Sequence, residues 1–175
     1  MEQQISEKEA AQLFCYSMIR QVRESWDGII SQLRAFPNGS SLAGLDEERA
    51  QWELLLAAMA LDLGGLGNLF PKDQAERLFE LSVECLGMEQ RDYCLAAMSE
   101  YNKRYDEDQT AGMDPMLAIG EILCGRWGLT GVQPYESGEL FIAEDQILAG
   151  ALSVAISSFL GLWKRIKLTY SVVPE

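Results

Sequence analysis

The chain has 175 residues, with 27 acidic against 14 basic side chains, a net charge of −13 and no histidine. That charge, with no dense Lys/Arg stripe to offset it, argues against direct binding to DNA or RNA and against an anionic membrane surface. The missing histidine removes Ser-His-Asp and Cys-His catalysis, the Glu-x-x-His di-metal bundle and the commonest metal ligand. Hydrophobic residues make up 48% of the chain, and the length suits one domain, 1–175, with a core that buries about two-thirds of the unfolded surface.

The first helix is expected over residues 7 to 36. Ser6 and Glu9 form a capping box, and an apolar stripe follows at Ala11, Phe14, Met18, Val22, Trp26, Ile29, Leu33 and Phe36, at steps of three or four. Pro37-Asn38-Gly39 should end it. A loop over 37 to 45 leads to Asp46, Glu47 and Glu48, whose charge complements the start of a second helix. Leu54 to Leu61 is apolar on every side, so this helix is expected to be central, ending at Gly64-Gly65. Pro71 opens a third helix running to about Leu86, with Asp73 and Arg77 as an i,i+4 pair and Gly87 as its stop.

The fourth helix starts near Glu89 and carries Cys94, Met98, Tyr101 and Tyr105, with a Glu100–Arg104 pair. The run Asp106 to Met113 reads as a polar loop. Asp114-Pro115 is a strong start for the fifth helix, which carries Met116, Ile119, Leu123 and Trp127 and stops at Gly128. The stretch 129 to 143 predicts a short hairpin. The sixth helix runs from Glu144 to about Lys167, followed by an extended tail. It has no charge from Gln146 to Trp163 and is flanked by acids on one side and by Lys164, Arg165 and Lys167 on the other. That pattern is near the lower limit for crossing a bilayer. Its small-residue row, Ala149, Ser153, Ser157 and Gly161, suits close helix packing instead, and the reading is a buried core helix with no membrane expected. The four tryptophans, one each on helices one, two, five and six, read as core anchors.

Motifs with chemistry fail on context. GGLGNLF at 64 to 70 follows a helix rather than a strand and lacks the third glycine of a dinucleotide fingerprint. The acidic run from Asp106 puts Ala111 and Leu117 where a calcium loop needs Gly and Glu. Cys15, Cys85, Cys94 and Cys124 form no C-x-x-C pair, so they are expected as free, slowly reacting thiols rather than metal ligands or disulfides. With no apolar leader in MEQQISEKEA, a reducing cytoplasmic setting is expected.

Two carboxylates are anomalous. Asp62 sits where the helix dipole disfavours an anion, and it could cap a neighbouring helix, pair with an arginine such as Arg126, or face solvent. Glu121, between Gly120 and Ile122, is the other, and together they are the candidates for acid–base work. Leu66, Leu69 and Phe70, large apolar residues in a turn, are the candidate partner surface.

The chain is therefore expected to be an all-α bundle of about six helices, with a hydrophobic central C-terminal helix. The functional reading is a non-catalytic cytoplasmic interaction, regulatory or chaperone-like adaptor without a cofactor or metal. Its partner is expected to be a protein, including a second copy of itself. The alternatives are a bundle that holds a small apolar ligand, and an enzyme using carboxylate or Cys residues. No motif ties the chain to a known family.

Overall fold

The computed structural model describes residues 3–36, 39–129, 132–135, 138–141 and 146–174. The expected stop at Pro37-Asn38 and the expected start of the sixth helix at Glu144 lie outside them. In chain order the elements are β1 (Gln3–Ser6), α1 (Glu7–Arg34), α2 (Glu47–Gly64), α3 (Lys72–Glu84), α4 (Arg91–Ala111), α5 (Pro115–Arg126), β2 (Val132–Tyr135), β3 (Gly138–Phe141), α6 (Gln146–Ser157), α7 (Leu162–Thr169) and β4 (Tyr170–Val173). Short 3-10 turns precede α2, α3 and α4. The fold is all-α, as expected, and the stretch read as a sixth helix is divided into α6 and α7.

The helix starts follow from their caps. The Ser6 N–H donates to Glu9 Oε2 at 2.8 Å and the Glu9 N–H to Ser6 Oγ at 3.2 Å, completing the capping box. Asp46 accepts from the Arg49 N–H at 3.1 Å, and Asp114 from the Met116 N–H at 3.0 Å. The α1 stripe is buried from Ala11 to Trp26; beyond Gly28 the buried position shifts from Ile29 to Ile30.

Helix α2 is buried without interruption from Glu53 to Ala60 and touches α1, α4, α5, α6 and α7. It is the centre of the bundle, as its all-round apolarity predicts. The C-terminal stretch enters the core through one face. Leu148, Ala149, Leu152 and Ile156 of α6 are buried, chiefly against α5, while Ile147 and Val154 remain 60% and 70% exposed. The approach of α5 to α6 is close because Gly120 has no side chain: a Cβ there would lie 2.0 Å from the Ala149 carbonyl oxygen.

Four local expectations are corrected. The run Asp106 to Ala111 is helical, the end of α4, and the chain turns at Gly112 with φ 72°. The ladder Lys103–Glu107 at 3.8 Å and Arg104–Asp108 at 3.0 Å explains why so polar a segment stays helical. Arg77 reaches Glu7 with two 2.8 Å hydrogen bonds rather than pairing with Asp73. Glu100 pairs with Arg126, and Arg104 is taken by Asp108. Finally, α6 and α7 are separated at Gly161, whose φ is 85°.

The strands are minor. β2 and β3 form the antiparallel hairpin expected within 129–143, with Val132 opposite Phe141. β1 was not foreseen. It pairs in parallel with β4, Gln3 to Tyr170 through Ser6 to Val173, so the whole bundle serves as the crossover that a parallel pair requires. Ile5, Tyr170 and Val172 pack on the core, and Gln74 Nε2 donates to the Val172 carbonyl at 3.2 Å, which holds a ribbon too small to stand alone.

Candidate functional site

The two anomalous carboxylates are not brought into one site. Asp62, near the end of α2, caps α7 from across the core. Its Oδ1 accepts from the Gly161 N–H at 2.9 Å, and its Oδ2 accepts from the N–H groups of Leu162 at 2.9 Å and Trp163 at 3.2 Å. The helix dipole that disfavours an anion at its own helix end is answered by the positive end of another helix. Burial pushes the Asp62 carboxyl above its usual range, opposed by those three donors and by Arg165. Glu121 lies against α4. Its carboxyl is also raised by burial, with Arg104 opposing and Asp108 reinforcing.

The expected partner surface is corrected too. Leu66 and Phe70 are only 2% and 8% exposed, and Leu69 is half-buried. The 3-10 turn at Leu66–Asn68 folds the loop back, so that Phe70 meets the Trp163 ring edge-on at 5.9 Å and Lys167 sits over Phe70 at 5.3 Å. Trp163 in turn stacks on Phe14 at 5.0 Å. These apolar loop residues therefore plug the core between α1, α3 and α7.

A polar cluster that was not foreseen joins α2, α4 and α5. The buried Glu53 lies 3.4 Å from Arg126, accepts from the Tyr93 hydroxyl, and shares Arg126 with Glu100. Arg126 also lies over the rings of Tyr93 and Tyr101 at 5.8 and 5.5 Å. Burial works against its charge, but Tyr101 and the two carboxylates outweigh burial and hold the guanidinium protonated. Burial and Glu53 push the Tyr93 phenol up, so it stays a donor at neutral pH. Arg126 and Tyr93 thus keep fixed protonation states, and the arrangement ties three helices together.

Among the described residues, a cleft of about 770 Å³ lies between α1, α2 and the α3–α4 turn. Its apolar wall includes Ile19, Val22, Trp52, Leu55 and Leu86. Trp52 Nε1 is shielded from water yet bonded to nothing, a donor without an acceptor. Arg23 and Arg49 line the same cleft among Asp46, Glu48 and Glu89, and neither forms an ion pair among the described residues. A larger hollow of about 1040 Å³ lies beside Glu7 and Arg77, but that arginine is already engaged by Glu7 and the remaining charges there are carboxylates.

Of the four tryptophans, Trp26, Trp127 and Trp163 are the core anchors expected. Trp26 meets Trp127 edge-on at 5.8 Å and donates to Glu47 at 3.2 Å, and Trp127 donates to the Ala50 carbonyl at 3.1 Å. Trp52 departs from that pattern. It precedes the continuous apolar run of α2 and stands between Gln51 and Glu53, the one sequence signal that sets it apart. Among the described residues no group of three or more metal-ligating acidic or thiol side chains occurs. Compared with protein-family models, with characterised proteins and with solved structures, the chain matches none.

Proposed function

We propose that this is a non-catalytic interaction protein of the cytoplasm that receives a segment of a partner protein in the Trp52 cleft. The segment would place an apolar side chain against Val22, Trp52 and Leu55. An adjacent carboxylate would face Arg23 and Arg49. The observation that carries this reading is the open cleft itself, whose apolar wall of Ile19, Val22, Trp52 and Leu55 lies beside Arg23 and Arg49. Trp and Arg are enriched at interface centres relative to the rest of a protein surface. The cleft's volume also falls within the range of small-ligand pockets, but its open form and five charged lining residues favour a polar-edged protein segment over a small apolar ligand.

The test is capture from the native host on immobilised protein, comparing the wild type with Trp52→Ala, with the pair Arg23→Glu and Arg49→Glu, and with Glu121→Gln as a control. A specific partner should be retained by the control and weakened in the cleft variants by about 30-fold or more, the loss of about 2 kcal/mol expected at an interface centre. Light scattering shows whether that partner is a second copy of the chain. A partner held equally by all variants would remove the cleft from the account.

A further inference from the structure

Cys15 and Cys85 lie side by side at the contact between α1 and the end of α3. Cys15 is buried and donates to the Ser82 carbonyl at 3.2 Å. Cys85, the residue that ends α3, is exposed. Both residues line the same pocket of about 270 Å³, with Lys8, Gln12, Tyr16 and Glu84 around them. The remaining cysteines, Cys94 and Cys124, are buried on α4 and α5. The sequence separates the paired cysteines by 70 positions, which is why their spacing gave no sign of a pair.

We propose that this pocket is a thiol-modification site at which hydrogen peroxide converts Cys15 and Cys85 into an intramolecular disulfide. The exposed Cys85 meets the oxidant first. Its thiolate attacks the peroxide oxygen and the O–O bond breaks. Cys85 becomes a sulfenic acid, and the leaving hydroxide takes a proton to become water. The sulfur of Cys15 then attacks the sulfenic sulfur. The S–S bond forms, the S–O bond breaks, and the Cys15 proton leaves with the hydroxyl as a second water. Two thiols are oxidised for one peroxide reduced. Burial pushes the Cys15 thiol up, with Cys85 adding to the rise, which keeps Cys15 protonated and assigns it the second, resolving step rather than the first. Cys15 already reaches the Ser82 carbonyl, one helical turn from Cys85, and both cysteines line one pocket, so a small movement would let the sulfurs close to about 2.05 Å. The crosslink would staple α1 to the end of α3, and Leu86 and Gly87, next in the chain, wall the Trp52 cleft. The inference stands whether or not that cleft binds a partner.

The experiment treats the intact protein with hydrogen peroxide, alkylates the remaining thiols in denaturant, and maps peptides without reduction. The wild type should fall from four titratable thiols to two, with a Cys15–Cys85 linked peptide and unmodified Cys94 and Cys124. In Cys15→Ala, Cys85 should be trapped by dimedone as a sulfenic acid. In Cys85→Ser, all remaining thiols should survive the same dose. Four surviving thiols in the wild type, or Cys85 passing to sulfinic acid while Cys15 remains a thiol, would overturn the proposal. The wild-type map decides the matter even if a variant folds poorly.

Discussion

Asp62 shows how a residue's meaning depends on what the fold places opposite it. Asp62→Ala would remove the acceptor of three backbone donors at the start of α7, two of them buried. We expect a loss of about 1–3 kcal/mol in urea denaturation, with Asp62→Asn intermediate because the amide oxygen still accepts. A loss no larger than that of an exposed substitution would remove the capping role. Glu7 gives the pH signature. Its hydrogen bonds to Arg77 hold the carboxyl below its ordinary 4.5, against the effect of burial. A carboxyl lowered in the folded state contributes stability that is present above the unfolded value and is lost as the pH falls through the folded one. The stability difference between wild type and Glu7→Gln should therefore be full at neutral pH and shrink as the pH drops below 4.5. Taking the difference cancels the opposite contribution from Asp62, whose carboxyl is raised. Thermal denaturation over a pH series reads this directly, and a pH-independent difference would contradict it.

Helices and their ends were legible where local chemistry sets them. The Ser6–Glu9 box, the Asp46 and Asp114 caps and the α2 run are all decided within a few residues of sequence. The pairing of β1 with β4 and the Arg77–Glu7 contact were not, because each joins residues far apart in the chain and neither leaves a periodic trace. The break at Gly161 was hidden for a different reason. Its apolar surroundings continue the helical pattern, and what caps the restarted helix is Asp62, 99 residues away.

Gly120 and Gly150 provide a paired test of the α5–α6 contact. Gly120→Ala would drive a Cβ into the Ala149 carbonyl, at 2.0 Å, and should cost at least the roughly 1–3 kcal/mol of ordinary overpacking. Gly150→Ala meets nothing within 4 Å and should stabilise by about 0.4–1 kcal/mol through its effect on the unfolded chain. Equal effects from the two would mean the helices are not in contact there. Gly161→Leu should cost about 1–2 kcal/mol from its left-handed backbone, and not from crowding, since that position too is open.

At the scale of the molecule, one stretch among the described residues, Gln146–Thr169, is long and apolar enough to cross a membrane by length and composition, and 39% of its most apolar window is buried inside the fold. The core reading draws support from the break. A helix interrupted at bilayer depth exposes backbone N–H groups that hydrocarbon cannot satisfy, whereas here Asp62 satisfies them. Deleting residues 146–175 should uncover α5 and the Phe14 ring that stacks on Trp163, and the remainder should aggregate. A truncated chain that stays monodisperse and helical would contradict that.

The candidate site was less legible than the fold. Leu66 and Phe70 look exposed because turns usually are, yet α7 and Trp163 cover them. The cleft draws Val22 and Arg23 from α1, Trp52 from α2 and Leu86 from the α3–α4 turn, and no local pattern joins three such distant segments. The most direct measurement of its role is hydrogen–deuterium exchange on the full chain with and without the captured partner. Protection should concentrate on residues 19–23, 46–55 and 86–90. Protection confined to the outer face of α6 around Ile147 and Val154, with the cleft unchanged, would contradict the account.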